Sequence, residues 1–375
     1  MSIKLFFSGD IFINNDIAIS DELTDVIKSC NSAICNLEAP LSGKGFSKGI
    51  KIGPHLKQSE KAIEFLANTG FNIFNLANNH ILDYGFSGLQ LTISEIKRLK
   101  KEYIGAGFTN KEIYSPKIIQ IGDVRVLIIS GCENGFGSSY HYNNEKGYSY
   151  LYSNFLKEII EEHRNSVDHV ILYSHAGVEM INIPSIELRT FYKNLCDNGV
   201  DVIIGHHPHI PQGIEKYNKS LIFYSLGNFI FEHKSIHKDI DESFCVVLEL
   251  EKQNIRYDII FTKKINQTIC LVREKDVKFS LTKLNSLLHD NYLNRYQEYA
   301  FNIYKNKLNG FLKYSLGYPE KFNTYSILKF IYNNFINRKS YKKSKSLMLF
   351  HLFNIESNKS VIENALIHIL KNEKG

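Results

Sequence analysis

With 375 residues, of which 43% are hydrophobic and 22% are charged, the chain can form a large globular core. The net charge of +6 comes from its C-terminal part: residues 271–375 hold 18 basic and 8 acidic residues, and residues 1–270 hold 27 and 31. No apolar run approaches the roughly 18 residues of a membrane span, and the six cysteines form no C-x-x-C pair. These features argue against a membrane-spanning protein and a disulfide framework.

Short runs of β-branched and aromatic residues alternate with helix-like segments from residue 3 to residue 265. Amphipathic helices are predicted over 59–69, 86–101 and 185–198. This alternation is typical of an α/β domain with mainly parallel strands in its first part. The last two strands look like a hairpin around Glu251–Asn254. The strand candidates are 3–8, 32–37, 71–76, 118–130, 169–174, 201–204, 221–225, 243–250 and 255–262.

The composition changes near residue 270, where apolar residues adopt helical spacing among many Asn, Lys and Tyr residues. We therefore predict two regions, an α/β domain over 1–268 and a basic helical region over 269–375. The basic segment Tyr341–Lys345 is interpreted as a break before a final helix near 358–372. The positive charge of residues 271–375 is most simply that of a solvated helical face, although it could favour an anionic partner or a membrane surface.

Polar residues cluster where predicted strands end, which is the edge at which open α/β sheets build their sites. An isolated Asp or His in such a position is usually a structural residue. The segment Gly205–His209 is different, because three histidines in four positions are hard to explain by packing. The clustered residues are Asp10, Glu38, Asn78, Asn79, His80, Asp83, His175, His206, His207 and His209.

Carboxylate, amide and imidazole groups without thiolates suit Mn, Fe or Zn as ligands. They are too numerous for one tetrahedral zinc ion and suit two ions about 3.5–4 Å apart, as in phosphatases and nucleases. The sequence therefore predicts two divalent metal ions. A serine or cysteine nucleophile is then not required, and neither a phosphate-binding Walker loop nor a G-x-S-x-G elbow is present.

The order of these motifs resembles the CapA family of capsule and poly-γ-glutamate biosynthesis proteins, within the calcineurin-like metallophosphoesterases. The resemblance covers about residues 3–235. It includes Gly-Asp, Asn-Leu-Glu, Ala-Asn-Asn-His-x-x-Asp-x-Gly, His-x-Gly-x-Glu, Gly-His-His-Pro-His and the segment Tyr224–Phe231. It implies a four-layer α/β/β/α sandwich with metals at the strand ends. The C-terminal helical appendage, which the composition and spacing predict, lies outside the resemblance.

The resemblance also implies roles for individual residues. Glu38 corresponds to a bridging carboxylate, and His80 to an acid or transition-state stabiliser beside the metals. His206 could take the place of His207 as a ligand. The implied metal ligands are Asp10, Glu38, Asn79, His175, His207 and His209, and the implied substrate-binding residues are Asn78, Asp83, His206 and Asn228.

Two functions remain open. The first is a metal-dependent hydrolase of a phosphoester or an amide-type polymer bond, linked to capsule, poly-γ-glutamate or cell-envelope polymer biosynthesis. The second is a non-catalytic metal-binding accessory protein that binds an anionic polymer or a capsule-synthesis partner. Nucleic acid is not expected as a partner, because no aromatic-basic RNA motif accompanies the basic tail. Ile3–Phe7 is too short for a signal-peptide core, so we expect a cytoplasmic location, or a peripheral one at the membrane.

Overall fold

The structure is a computed structural model that describes residues 2–135, 146–232, 241–289, 291–319, 325–326, 328–329, 332 and 338–372. Within these ranges, no helix combines the length and the apolar character needed to cross a membrane. All six cysteines are unpaired, and Cys35, Cys132 and Cys245 are buried.

The strands and helices of the described residues are as follows. The strands are β1 (Ile3–Phe12), β2 (Ala18–Ile19), β3 (Ser32–Leu37), β4 (Ile73–Asn75), β5 (Glu102–Ile104), β6 (Ala106–Gly107), β7 (Lys117–Ile121), β8 (Val124–Cys132), β9 (Gly147–Tyr148), β10 (His169–His175), β11 (Val202–His206), β12 (Ile214–Tyr217), β13 (Ser220–Phe223), β14 (Asn228–Phe231), β15 (Glu242–Glu251), β16 (Asn254–Ile265) and β17 (Thr268–Val272). The α-helices are α1 (Asp21–Lys28), α2 (Ala62–Thr69), α3 (Gly85–Arg98), α4 (Asn110–Ile113), α5 (Asn154–His163), α6 (Ile186–Asp197), α7 (Leu281–Ser286), α8 (Tyr292–Ile303), α9 (Asn309–Ser315), α10 (Arg338–Asn354) and α11 (Glu356–Asn372). A π-helical turn, Tyr304–Leu308, joins α8 to α9.

Two sheets form the centre of the protein. The first has the strand order β2-β17-β16-β15-β1-β3-β4-β5, with β14 paired to the end of β1. The second has the order β12-β13-β11-β10-β8-β7. Strands β1, β3, β4 and β5 are parallel, and so are β8, β10, β11 and β13, which confirms the prediction of parallel pairing. Strands β6 and β9 form a separate pair.

Successive side chains along a strand point to opposite faces of its sheet and therefore enter different apolar layers. Leu5 and Phe7 of β1 meet Ile128 of β8 in the layer between the sheets, whereas Phe6 packs under α1, α2 and α3. Leu127 of β8 packs under α5 and α6 on the other side. The predicted four-layer α/β/β/α sandwich is confirmed. Each fully buried Leu or Phe contributes about 1.5–3 kcal/mol to it.

The C-terminal helices pack back onto this sandwich. Their apolar residues, including Tyr296, Leu352 and Val361, form one cluster with Val178 and Ile183 of the loop after β10. Polar contacts fix the arrangement. Carboxylate oxygens of Glu356 accept hydrogen bonds from the main-chain N–H and side-chain amide of Asn134, both at 2.9 Å, and Glu187 accepts one from Asn364 at 2.9 Å. The appendage is therefore held at defined points.

Three details differ from the predictions. The run 118–130 is a hairpin of β7 and β8, because Gly122 adopts a φ of 60° and turns the chain. Tyr341–Lys345 lies inside α10, since Lys has a high helix propensity and does not break a helix. The proposed boundary after residue 268 falls within β17, which pairs with β16, so the first sheet continues to Val272.

Candidate metal centre

The candidate site lies at one edge of the two sheets, where the parallel strands end. Asp10 is near the end of β1, Glu38 follows β3, and Asn79 follows β4. His175 ends β10 in the second sheet, and the histidine segment 206–209 begins at the end of β11. The fold thus brings together residues that are up to 199 positions apart, as the strand-end argument predicted.

The Gly9-Asp10 pair is explained by a close approach of two chain segments. A side chain on Gly9 would place its Cβ 2.0 Å from the carbonyl oxygen of Gly227, so only glycine fits there. The main-chain N–H of Asp10 donates to that carbonyl at 3.0 Å, and the strand register shifts on either side of Asp10. This local irregularity places Asp10 beside Asn228.

The histidine segment has an unusual backbone. His207 has a φ of 93° and His209 a φ of 62°, a region that residues with a Cβ rarely adopt and that costs about 1–3 kcal/mol per residue. The main-chain N–H of His207 donates to Oδ2 of Asp10 at 3.1 Å. Nδ1 of His209 donates to Oδ1 of Asn228 at 2.9 Å. The first bond fixes the backbone of His207, and the second fixes the ring of His209.

Two groups of potential metal ligands share one carboxylate. Asp10, Glu38 and His209 form one group, and Glu38, His175 and His207 form the other. In each group the ligand atoms lie within 4.8 Å of one another, and all of these residues are buried. Glu38 is thus located where a bridging ligand would be.

The polar atoms of Glu38 provide a test of whether metal fits. Both of its carboxylate oxygens are buried and make no hydrogen bond within the described residues. Burial, together with the nearby charge of Asp10, raises the pKa of Glu38 well above its usual range. An unpaired buried carboxylate is costly unless a cation compensates it. The donor set therefore fits divalent cations.

His175, His207 and Asp10 are in the protonation states that metal binding needs. Burial lowers the pKa of His175 well below its usual range and lowers that of His207 to about 4, so both are neutral near pH 7. Burial alone would raise the pKa of Asp10, but contacts with His206, His175 and His209 outweigh it and keep the pKa well below its usual range. Neutral imidazoles and an ionised carboxylate are the forms that coordinate a metal.

Asn79 contacts the second of these groups, and His206 contacts the first. Oδ1 of Asn79 is 3.1 Å from Nε2 of His175, next to the second group. His206 stacks on Tyr173 with ring centroids 4.3 Å apart, and its Nδ1 lies 3.2 Å from Oδ1 of Asp10. Because the second group contains His207 and not His206, the geometry favours His207 as its ligand.

His80 belongs to a buried charge network beside the site. Its Nδ1 lies 2.7 Å from Oδ2 of Asp83 and 3.1 Å from Nζ of Lys51, and Lys51 also pairs with Asp83. The same Asp83 oxygen accepts the N–H of Leu56 at 2.7 Å. Asp83, predicted to bind substrate, is thus engaged in fixing the ring of His80. Burial, and next the charge of Lys51, lower the pKa of His80.

Two further candidates for substrate binding also contact the protein itself. The amide of Asn78 donates to the carbonyl of Leu37 at 2.9 Å and accepts the N–H of His80 at 3.2 Å. Asn228 holds His209, but its own Nδ2 is buried and makes no hydrogen bond within the described residues. Both residues position others in this structure, and their contact with substrate remains a prediction.

Residues 4–233 match the family described as bacterial capsule synthesis protein PGA_cap. The chain belongs to this family. It is 32% identical over 203 residues to the PGA biosynthesis protein CapA of Bacillus subtilis (strain 168), a match that covers 52% of each chain. It is 30% identical over 213 residues to the capsule biosynthesis protein CapA of Bacillus anthracis, covering 55% of this chain and 52% of that one. The resemblance to CapA proteins is thereby confirmed, and the chain spans about half the length of these relatives.

Among solved structures, the chain is similar to a Staphylococcus aureus protein described as a 5'-nucleotidase. The two share 14% sequence identity with a TM-score of 0.46, and the match covers 77% of this chain and 58% of that one. The PGA_cap match ends at residue 233, so β15 to β17 and all the C-terminal helices lie beyond it.

The structure adds site residues that the sequence analysis missed. Glu133 follows β8 at the same sheet edge and is buried, with its Oε1 3.9 Å from Nε2 of His207. The rule that found Asp10 and Glu38 would also have found Glu133. Asn36 donates to Asp10 at 2.6 Å and lies 3.0 Å from Nδ1 of His175. Lys51 lies outside any helix or strand and does not follow a predicted strand, so the sequence around it does not indicate a site residue.

Proposed function

We propose that the protein is a metal-dependent hydrolase of the metallophosphoesterase type that acts in the synthesis of capsule, poly-γ-glutamate or another cell-envelope polymer. The observation that carries the proposal is the position of Glu38, whose two unpaired buried oxygens lie between two His-containing ligand groups. Membership of the PGA_cap family supports the biosynthetic context. The cytoplasmic or membrane-peripheral location expected from the sequence remains part of the proposal.

In this proposal the site holds two divalent ions, Mn, Fe or Zn. Asp10, Glu38 and His209 would hold one, and Glu38, Asn79, His175 and His207 the other. When bound, such a pair polarises a phosphoryl oxygen and lowers the pKa of a water molecule. The chain's own contribution is to fix the ligands: Asn228 orients His209, and Asn36 orients both Asp10 and His175.

His80 is the proposed proton donor to the leaving oxygen. Asp83 and Lys51 both contact its Nδ1, so the second ring nitrogen, Nε2, is the one available to a substrate. When Nδ1 accepts a hydrogen bond from Lys51, the neutral ring carries its proton on Nε2 and can donate it. His80 lies close enough to the site to interact electrostatically with His209. The substrate is a phosphoester or an anionic polymer, and capsule-synthesis proteins are candidate partners; we do not expect nucleic acid.

Elemental analysis and an activity panel test this proposal together. The purified protein, reconstituted with Mn, Fe or Zn, should bind about two ions per chain and hydrolyse at least one phosphoester or polyglutamate substrate. Glu38→Gln should lose both properties. Failure to bind any of the three metals contradicts the proposal. Full metal loading without turnover on the panel would favour the non-catalytic accessory protein that binds an anionic polymer or a synthase partner.

A further inference from the structure

A cavity of about 370 Å³ lies between the metal-ligand edge and the C-terminal helices. Asn79, His175 and His207 line it on one side. On the other side it is lined by the π-helical turn and by helices α8, α9 and α11, which lie outside the PGA_cap match. The ligand edge belongs to the family, whereas the facing wall is a feature of this chain's C-terminal region.

The facing wall combines polar side chains, such as Asn302 and Asn358, with an apolar part that packing holds in place. Leu308, Phe311 and Val361 line the cavity and also belong to the apolar cluster that joins the C-terminal helices to the loop after β10. Leu308 is the last residue of the π-helical turn, a feature that is frequent at functional sites. The Glu356 contacts to Asn134 anchor α11 next to the cavity.

The cavity offers little positive charge to a polyanion. Among the lining residues that the structure describes, the acidic and basic side chains other than histidine are Glu133, Glu179 and Lys307. Nζ of Lys307 lies 3.7 Å from Oε2 of Glu179, so its charge is already partly compensated. A chain with a carboxylate on every unit would meet a single lysine, already partly compensated, and apolar side chains such as those of Leu308 and Phe311. A ligand with one anionic group and an apolar remainder would meet neither conflict.

We propose that the facing wall of the cavity selects an amphipathic phosphoester, whose phosphate binds at the ligand edge and whose apolar group packs against Leu308 and Phe311. This inference rests on the proposed function and names its substrate class. The volume of the cavity accommodates a group about the size of an aromatic ring or a short alkyl chain beyond the phosphate. An internal bond of a long polyglutamate chain is excluded as the preferred ligand.

Binding of two non-hydrolysable probes to the metal-loaded full-length protein tests this substrate class. Phenylphosphonate should bind about tenfold more tightly than methylphosphonate, because the ring buries additional apolar surface. Leu308→Ala should reduce this ratio to about twofold or less without changing the affinity for methylphosphonate. A γ-glutamate oligomer should bind more weakly than phenylphosphonate. Isothermal titration calorimetry measures all three affinities.

Leu352→Ala is the matched control, because Leu352 is buried in the same apolar cluster but does not line the cavity. It should keep the wild-type ratio. If Leu308→Ala does not fold, the milder Phe311→Leu serves in its place and should lower the ratio in the same direction. Equal affinities for the two phosphonates, or tighter binding of the γ-glutamate oligomer, overturn the inference. Absence of hydrolysis across the activity panel would contradict the proposed function alone, since neither phosphonate has to be hydrolysed.

Discussion

Nδ1 of His209 donates a hydrogen bond to the side-chain oxygen of Asn228 over 2.9 Å, and this leaves Nε2 directed towards Glu38, 3.7 Å from its Oε1. The two residues come from different segments: His209 follows β11, and Asn228 begins β14. Their contact depends on the close approach of Gly9 to Gly227, which pairs β1 with β14. An amide outside the ligand set thus fixes which imidazole nitrogen faces the metal position.

Replacement of this amide should weaken metal binding. We expect Asn228→Ala to lower the metal affinity about 10–100-fold, since the ring of His209 loses the acceptor that fixes its orientation. Competition with a chelator at neutral pH measures the change. Asn194→Ala, an exposed position in α6, is the control and should match the wild type. An unchanged affinity for Asn228→Ala would show that the backbone at His209 orients the ring without help.

Glu38→Gln should change stability in opposite directions with and without metal. In metal-free protein the substitution removes a buried, unpaired carboxylate, and we expect the free energy of unfolding to rise by about 1–3 kcal/mol at pH 7. In metal-loaded protein it removes a shared ligand, so the stabilisation by bound metal should be lost. Thermal unfolding with metal and with chelator measures both effects.

In metal-free protein, the difference in stability between Glu38→Gln and the wild type should depend on pH. The folded-state pKa of Glu38 is raised above the unfolded value of about 4.3, so the folded state holds its proton more tightly. The destabilisation that Glu38 causes in the metal-free wild type is therefore absent below the pKa of the unfolded state. It grows as the pH rises towards the pKa of the folded state. A metal-free Glu38→Gln protein that is no more stable than the wild type at pH 7 would contradict the assignment of Glu38 as an uncompensated carboxylate.

His80→Gln should separate catalysis from metal binding. We expect turnover on the best substrate to fall about 10²–10⁴-fold, the usual contribution of a positioned general acid, with metal content unchanged. Asp83→Asn should lower turnover less, because the ring of His80 keeps its place but loses its charged partner. Steady-state kinetics and elemental analysis of the same samples check both statements. Full activity of His80→Gln would remove His80 from the mechanism.

Local patterns predicted an α/β domain with mainly parallel strands, whereas the four layers were predicted only from the resemblance to the CapA family. The cluster of ligand candidates follows from a local pattern, because polar residues after parallel strands meet at one edge of the sheet. The predicted helix 86–101 corresponds to α3, Gly85–Arg98. The hairpin of β15 and β16 is also confirmed, with a tighter turn than expected.

Contacts between irregular segments could not be predicted in this way. Lys51 contacts His80 from a loop whose sequence shows neither helical nor strand periodicity. The apolar spacing after residue 270 predicted helices but not which surface they cover, so the wall formed by Leu308 and Val361 was not foreseen. Such information resides in tertiary packing and is not encoded in any short window of the chain.

Glu215, outside the ligand groups, should control stability at low pH. Burial alone would raise its pKa, but hydrogen bonds from Arg189, Lys193 and Tyr224 outweigh this effect and lower the pKa to about 2. Oε2 of Glu215 accepts from Nε of Arg189 at 2.9 Å and from the hydroxyl of Tyr224 at 2.7 Å. The ionised carboxylate therefore stabilises the junction between α6 and β12.

We expect Glu215→Gln to lower the free energy of unfolding at pH 7 by about 3 kcal/mol, because it leaves Arg189 partly buried without its partner. A group whose folded pKa is lowered contributes its stability above the unfolded pKa and loses it as the pH falls towards the folded value. The difference in the free energy of unfolding between wild type and variant should therefore be constant from pH 7 to about 5. It should become smaller as the pH falls from about 4.3 towards 2.

Urea unfolding of metal-free protein across this pH range measures the difference, with Glu22→Gln in the exposed first turn of α1 as the control. A gap that does not narrow at low pH would show that Glu215 acts through packing and neutral hydrogen bonds, since only the ionised carboxylate can lose its contribution on protonation.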